Sequence, residues 1–249
     1  METIEKNNYG LVGKNISYSF SESYFADKFK KLGLSGYSYR NYDLAHIEDF
    51  KELVGEDKNF KGLNVTIPYK EAVIPYLDKL DKKARKVGAV NTVKFTKKGL
   101  NGYNTDIYGF KKSIKPHLRK HHKRALILGT GGASKAVAFV FKELGIKFKF
   151  VSRTAKKNQL LYDDLDEKTM KKYKVLVNCT PLGTFPNIEE KPAIPFQLIS
   201  DKHLLFDLIY NPEKTAFLRE GEKQGATIRN GLRMLELQAE KSWKIWNSK

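Results

Sequence analysis

Short apolar runs and helical spacings take turns along this chain. Residues 9–12 read as a strand, Phe25, Phe29 and Leu32 follow at helical spacing, and residues 37–42 return to an extended pattern. Residues 62–67 predict another strand. Residues 70–77 predict a helix with Val73, Ile74 and Leu77 on one face, and residues 89–95 a strand ending in the turn KKGLNG. Strands alternating with helices imply a mainly parallel sheet covered on both faces.

A second unit begins near residue 105. Residues 106–114 read as a helix, and Pro116 with the basic run to Lys123 makes a polar connection. RALIL at 124–128 is a fully apolar strand core, followed at once by Gly129, Gly131 and Gly132 and by a helix running to Leu144. Further strands are expected in FKFV at 148–151, VLVN at 175–178 and LLFDLIY at 204–210. This is the layout of a Rossmann-type dinucleotide-binding domain. In residues 231–246, Leu232, Leu235, Ala239, Trp243 and Trp246 recur at steps of three and four, the mark of a buried helical stripe. Met234 and Gln238, one turn apart, are expected on another side of that helix, away from Leu232, Leu235 and Trp243. The expected architecture is α/β in two domains. An N-terminal α/β domain covers residues 1–104 and is completed by the last helix, 232–249, which returns to it; a Rossmann-type domain covers residues 105–231.

Composition narrows the class. With 41% apolar residues the chain can bury a real core. No stretch approaches the roughly 18 apolar residues of a membrane span, and METIEKNN lacks the apolar segment of a secretory signal, so a cytoplasmic protein is expected. The one cysteine, Cys179, cannot form an intrachain disulfide and reads as a small buried residue at a strand end; no Cys/His cluster has metal-ligand spacing. A net charge of +18 raises a nucleic-acid reading, but the 46 Lys and Arg are scattered as KK and KxK pairs rather than gathered on one element with aromatics. HLRKHHKR, with His121 and His122, reads as a solvated basic loop. Anionic small molecules are the better partners for this charge, with no nucleic acid, no membrane and no metal expected.

LILGTGGASKAVA places Gly129, Thr130, Gly131, Gly132 and Ala133 between a strand and a helix. There the missing side chains let a pyrophosphate approach backbone N–H groups at the positive end of a helix dipole. Ser134 stands where the strict GxGxxG form has Gly or Ala. After the next strand comes VSRTAKK, without an acid. A carboxylate there would accept a ribose 2′-hydroxyl and repel a 2′-phosphate. Ser152, Arg153, Thr154, Lys156 and Lys157 offer hydroxyls and positive charge instead, which selects NADP over NAD.

Four further segments are polar where an α/β core would not be: SYSFS at 17–21, GLNVTIPYK at 62–70, GAVNTV at 88–93 and NGYNTD at 101–106. Each places Ser, Thr, Asn, Lys or Asp at a strand end or helix start, the rim where open α/β sheets bind ligands. Together with GTGGASKA, SRT, NCTPLG, DLIYNPEKT and GLRMLELQA, these segments resemble the ordered motif set of the shikimate dehydrogenases, over residues 9–239.

The resemblance implies that residues 1–104 bind the substrate and carry catalysis. It implies that Ser19 and Ser21 bind the substrate carboxylate, that Thr66, Lys70, Asn91, Asp106 and Gln238 surround the ring and its hydroxyls, and that Tyr210 lines the pocket near the carboxylate. Thr180, Leu208 and Gly231 would lie along the nicotinamide half of NADP, with Met234 close by. Lys70 and Asp106 would be the catalytic pair. A lysine ammonium can stabilise and protonate the alkoxide that forms on the reduced ring ketone, while a carboxylate holds it in place. The expected activity is reversible reduction of 3-dehydroshikimate to shikimate, by a monomer or homodimer. Tyr18, Glu22, Ser152 and Thr184 depart from the family's usual His, Pro, Asn and Met. Glu22 sets a negative charge beside the two serines. The rivals are a quinate or quinate/shikimate dehydrogenase, a noncatalytic NADP-binding regulator, and a basic nucleic-acid-binding module.

Overall fold

A computed structural model describes residues 6–16, 19–154 and 156–248. The chain divides into two compact units, residues 1–105 with 239–249, and residues 106–238. Tyr18, one of the four departures from the family pattern, lies outside the described residues.

The first unit runs β1 (Asn7–Gly13), α1 (Phe20–Lys31), β2 (Tyr37–Asp43), α2 (Phe50–Glu56), β3 (Phe60–Val65), β4 (Lys79–Leu80), α3 (Lys82–Val87), β5 (Thr92–Thr96) and β6 (Gly99–Tyr103). Its six strands lie in the order β2-β1-β3-β5-β6-β4. β1, β2 and β3 are parallel, but β5 is antiparallel to both β3 and β6, so this sheet is mixed rather than mainly parallel. The antiparallel pair arises because only Lys97 and Lys98 separate β5 from β6. A link that short permits a hairpin and no crossover helix. Gly99, at φ +107°, takes the backbone conformation that closes it.

The two faces of the sheet bury different sets. Val12, Leu63, Val65 and Val93 pack with Phe50, Tyr69 and Val73 on one side. Tyr9, Leu11 and Tyr39 pack with Phe25, Phe29, Ala239 and Trp246 on the other. Neighbours Leu11 and Val12 fall in different clusters, as the two-residue period of a strand requires.

The helix expected over 70–77 is not there. One α-type turn closes from Val73 N–H to the Tyr69 carbonyl, and the backbone then tightens to three-residue bonds, Ile74 to Glu71 and Tyr76 to Val73. A short 3-10 turn, Ile74–Tyr76, is all that follows. Pro75 supplies the reason, since it has no N–H to continue an α-helix.

The second unit runs α4 (Asp106–Ile114), β7 (Arg124–Leu128), α5 (Gly132–Glu143), β8 (Lys147–Val151), α6 (Glu167–Lys172), β9 (Val175–Asn178), β10 (Leu204–Asp207), α7 (Ala216–Lys223), β11 (Thr227–Arg229) and the start of α8 (Leu232–Trp246). The sheet is parallel throughout, in the order β11-β10-β9-β7-β8. The chain steps one way from β7 to β8 and then the other way to β9. This reversal is the switch point at which doubly wound sheets bind ligands, beyond the C-terminal ends of their strands. β7, β9 and β10 are buried almost without break, which is why they read as apolar runs rather than alternations. The fold class is thus α/β with a Rossmann-type second sheet, as expected.

From Ala239 onward α8 groups with the first unit. Trp246 Nε1 donates to the Val93 carbonyl at 2.9 Å, and its indole packs so closely on Gly62 that a Cβ there would collide with it. The stripe on α8 differs from expectation at its start. Leu232 is 36% exposed, whereas Met234 is buried, its backbone and side chain lying against Gly109 of α4, where any side chain would clash. Among the described residues no helix is long and apolar enough to cross a membrane, and no group of His, Cys, Asp and Glu could hold a metal ion.

Candidate active site

Register places the expected substrate residues of the first unit at one edge of its sheet. Val12 pairs with Val65, Asn64 with Thr92, and Thr92 with Tyr103. The C-terminal ends of β1, β3 and β6 and the N-terminal end of β5 therefore share an edge. Ser19 and Ser21 follow β1, Thr66 and Lys70 follow β3, Asn91 precedes β5, and Thr105 follows β6. Backbone bonds sew these segments together: Thr66 N–H to Val12 O at 2.8 Å, Val65 N–H to Asn91 O at 2.9 Å, Asn91 N–H to Tyr103 O at 3.1 Å and Val90 N–H to Lys70 O at 2.7 Å.

Ser19 caps α1, its hydroxyl accepting from the Ser21 N–H at 3.3 Å. Ser21 is buried, with its side chain beside the Tyr39 hydroxyl. Glu22 is exposed in the first turn of α1, so its charge is hydrated. Lys70 is half-buried, and the residue before it, Tyr69, is anchored in the core with its hydroxyl on the Leu44 carbonyl at 2.7 Å. Anchoring one residue and leaving the next partly open presents the lysine at the rim.

Beneath this edge lies a polar network that the motif reading did not name. Tyr39 Oη donates to Asn64 Oδ1 at 2.9 Å. Asn64 Nδ2 faces the Asn91 carbonyl, Thr92 Oγ1 and Ser242 Oγ at 3.1, 3.2 and 3.0 Å. Asn91 Oδ1 accepts the Thr105 N–H at 2.6 Å, and Asn91 Nδ2 donates to Thr105 Oγ1 at 2.9 Å. Tyr39, Asn64, Asn91, Thr92, Thr105 and Ser242 are all buried. Polar residues at inward positions of strands were the available signal, for Asn64 and Thr92 at least. A lone serine between Lys241 and Trp243 gave none.

In the second unit the expected cofactor residues converge on the C-terminal edge of the parallel sheet. Gly129 follows β7 at φ +99°, and α5 starts at Gly132 with Gly131 as its N-cap. A Cβ on Gly131 would meet nothing within 4 Å, so the first turn opens on free space, as an approaching pyrophosphate requires. Thr130 and Gly131 are exposed, and Gly132 and Ala133 half-buried. Ser134 serves the motif instead of breaking it. It is fully buried, and its hydroxyl donates to the Gly131 carbonyl at 2.6 Å, stiffening the turn.

Beyond β8, Ser152 Oγ accepts the Thr154 N–H at 3.4 Å, and Arg153, Thr154, Lys156 and Lys157 are exposed. A 2′-phosphate fits this basic, acid-free segment. Beyond β9, Thr180 is fixed through both its N–H and its hydroxyl on Asn178 Oδ1, at 3.0 and 2.7 Å. A Cβ on Gly129 would lie 3.1 Å from Thr180 Cγ2, so these two predicted residues adjoin. Gly231 and Leu208 adjoin as well: a Cβ on Gly231 would strike the Leu208 carbonyl, while its N–H bonds Ile209 O at 2.9 Å.

Asp207 organises this edge. It is fully buried and accepts from Asn178 Nδ2 at 3.0 Å, Ile209 N–H at 3.0 Å and Thr215 Oγ1 at 2.6 Å. Burial pushes its carboxyl up to about 6, against those three bonds. Cys179, between Asn178 and Thr180, has its thiol pushed up by burial and the Asp207 charge, the reverse of what a reactive thiol needs.

Asp106 is buried at the start of α4. One turn on, Gly109 lets α8 approach so closely that a Cβ there would sit 2.6 Å from Met234 O and 3.2 Å from Gln238 Cβ. The structure therefore brings the helices of Asp106 and Gln238 together. Gln238 and Tyr210 are half-buried. Thr184, a departure in the NCTPLG segment, is half-buried with its N–H on Pro181 O. His122 corrects the reading of HLRKHHKR as a solvated loop. His121 is exposed, but His122 is buried, Nδ1 accepting the Arg119 N–H and Nε2 facing Lys202 O, and burial lowers its pKa.

Comparison with known proteins agrees with this geometry. Residues 11–93 match the family described as the shikimate dehydrogenase substrate binding domain. Shikimate dehydrogenase (NADP(+)) of Methanosphaera stadtmanae is 36% identical, over 96% of this chain and 91% of that protein. Among solved structures, shikimate dehydrogenase 1 from Peptoclostridium difficile is 38% identical with a TM-score of 0.82, covering 96% of this chain and 91% of that one. Shikimate 5-dehydrogenase from Thermus thermophilus, solved in complex with NADP(H) and shikimate, is 30% identical with a TM-score of 0.84, covering 97% and 93%. At this identity over nearly its whole length, the chain belongs to the shikimate dehydrogenase family.

Proposed function

We propose that the chain catalyses the reversible, NADP-dependent interconversion of 3-dehydroshikimate and shikimate, with Lys70 and Asp106 as its catalytic pair. The observation that carries this reading is the placement of Ser19, Ser21, Thr66, Lys70 and Asn91 at one sheet edge in a chain of this family. Residues 1–104 with the last helix form the substrate domain and residues 105–231 the NADP domain. The enzyme works in the cytoplasm, as a monomer or homodimer, without nucleic acid or membrane.

Gly129, Thr130, Gly131, Gly132 and Ala133 hold the pyrophosphate, and Ser152, Arg153, Thr154 and Lys157 the 2′-phosphate. Thr180, Leu208 and Gly231 line the nicotinamide, with Met234 close by. Bound NADPH supplies the hydride that reduces the ring ketone. Ser19 and Ser21 hold the substrate carboxylate with Tyr210 near it. Thr66, Asn91 and Gln238 hydrogen-bond the ring hydroxyls and fix the carbonyl over Lys70. The Lys70 ammonium stabilises the negative charge that develops on the carbonyl oxygen and delivers a proton to it. Asp106 orients that ammonium and accepts from the neighbouring ring hydroxyl.

The test pairs shikimate or quinate with NADP or NAD and follows reduced-nicotinamide absorbance, for the native chain and for Lys70→Ala. Turnover is expected with shikimate and NADP. Turnover chiefly with quinate and NAD would move the activity to quinate oxidation. Lys70→Ala should lower kcat by about 10²- to 10⁴-fold and change KM much less. A raised KM with unchanged kcat would overturn the catalytic role.

A further inference from the structure

We infer that Ser242, on the last helix, is a positioning residue for substrate binding: its buried hydroxyl completes the network that fixes Asn91 and Thr105 relative to Ser21. This rests on the reading of the first unit as the substrate domain.

Ser242 is fully buried, and its Oγ lies 3.0 Å from Asn64 Nδ2, 2.8 Å from Thr92 Oγ1 and 3.2 Å from Thr105 Oγ1. Those partners come from β3, from β5 and from the segment after β6, so one hydroxyl from α8 meets three neighbouring stretches of the sheet edge. The network has a defined direction. Tyr39 donates to Asn64 Oδ1, which turns the Asn64 amide so that its nitrogen faces Ser242 and Thr92. Ser242 then accepts from Asn64, and its contacts with Thr92 and Thr105 are hydroxyl to hydroxyl, in which either oxygen can donate. At the far end, Thr105 is bonded to Asn91 through both its backbone N–H and its hydroxyl. At the near end, the Ser21 side chain lies beside the Tyr39 hydroxyl. The relay thus runs from Tyr39, beside the proposed carboxylate ligand Ser21, to a proposed hydroxyl ligand, Asn91, and to the residue immediately before Asp106. Nothing in it needs to touch the substrate for its loss to blur the spacing of the groups that do.

Ser242→Ala should fold, because each partner keeps another bond. Asn64 Nδ2 retains the Asn91 carbonyl and Thr92, and Thr105 retains Asn91. Ser242→Cys preserves the volume but replaces the hydroxyl with a weak donor and acceptor, and so separates hydrogen bonding from packing. Steady-state kinetics on both variants, with each substrate varied in turn and melting followed by circular dichroism, tests the inference. Both variants should raise KM for shikimate by about three- to tenfold, the worth of one net hydrogen bond, while KM for NADP stays within twofold. A Ser242→Cys enzyme with native KM for shikimate would reduce Ser242 to a packing role. A parallel rise in both KM values would make the effect a general loosening and overturn the inference. A native chain that turns over neither shikimate nor quinate would instead sink the functional reading itself, and this inference with it.

Discussion

The polar interior of the first unit is made of amides and hydroxyls; that of the second is anchored by a carboxyl and a histidine. Tyr39, Asn64, Asn91, Thr92, Thr105 and Ser242 bond one another beneath the sheet edge, and the one titratable group among them, Tyr39, is pushed further up by burial. In the second unit, Asp207 ties the ends of β9 and β10 to the start of α7. His203 is 1% exposed, with Nδ1 accepting the Ser200 N–H at 2.9 Å and Nε2 on the Met170 carbonyl at 3.1 Å. Neutral networks hold their geometry at any pH a cell meets, whereas a network built on ionisable groups ties fold stability to proton activity.

Asp207 is the residue whose loss should cost most. Replacing it by alanine leaves the Asn178 amide, the Ile209 N–H and the Thr215 hydroxyl short of an acceptor inside the protein. Each orphaned group costs about 1–3 kcal/mol, so melting should fall by about 10 °C or more. A fall of only a few degrees would show that water or a neighbour replaces the carboxylate, and the second unit would not depend on that acceptor.

The next effect lies in pH dependence, where the two buried groups oppose each other. Burial and the nearby Lys174 lower His203 from its ordinary 6.5 to about 4. As pH falls through that window the unfolded chain takes up a proton that the folded one refuses, and stability is lost, on the order of 3 kcal/mol in all. Asp207, raised from 3.8 to about 6, keeps a proton that the unfolded chain has already released, so its contribution is lost as pH rises across nearly the same window. The two slopes largely cancel in the native chain. His203→Gln removes one of them. Relative to the native chain, urea midpoints of the variant should improve steadily from pH 6.5 to 4; a constant offset would mean that His203 does not titrate as its burial demands.

How much of this the sequence carried depends on what kind of signal each residue leaves. RALIL, VLVN and the helix at 106–114 were legible because both faces of the strands and one face of the helix are buried, which writes an apolar pattern into the residues themselves. The glycine turn and the polar strand-end segments were legible because ligand chemistry needs those residue types there. What escaped depends on contacts distant in sequence. Nothing local says that Asn64 meets Ser242, 178 positions away, or that Trp246 packs on Gly62. Pro75 was visible, yet the spacing of Val73, Ile74 and Leu77 outweighed it in a helical reading that the missing N–H forbids. The hairpin of β5 and β6 was half legible, its turn seen and its returning strand not.

Charge in the first unit should count for least. Glu240, on the outer side of α8, accepts from Tyr24 Oη and Lys28 Nζ, each at 2.6 Å. Burial pushes its carboxyl up, but the bonds from Lys28 and Tyr24 outweigh that and leave it below its ordinary 4.5. A lowered carboxyl stabilises the fold above the unfolded value and loses that contribution as pH falls through the folded one. The Glu240 side chain is 38% exposed, so solvent screens the pair and its worth is at most about 1 kcal/mol. Glu240→Gln keeps an acceptor for Tyr24 and removes only the charge. It should therefore lower stability by less than about 1 kcal/mol at pH 7, and the difference should vanish once pH falls below the folded value, when the native glutamate is itself neutral. Chemical denaturation at the two pH values reads this directly. A larger loss at pH 7 would mean that the first unit leans on an ion pair as the second leans on Asp207, and the contrast between a neutral interior and a charged one would fail.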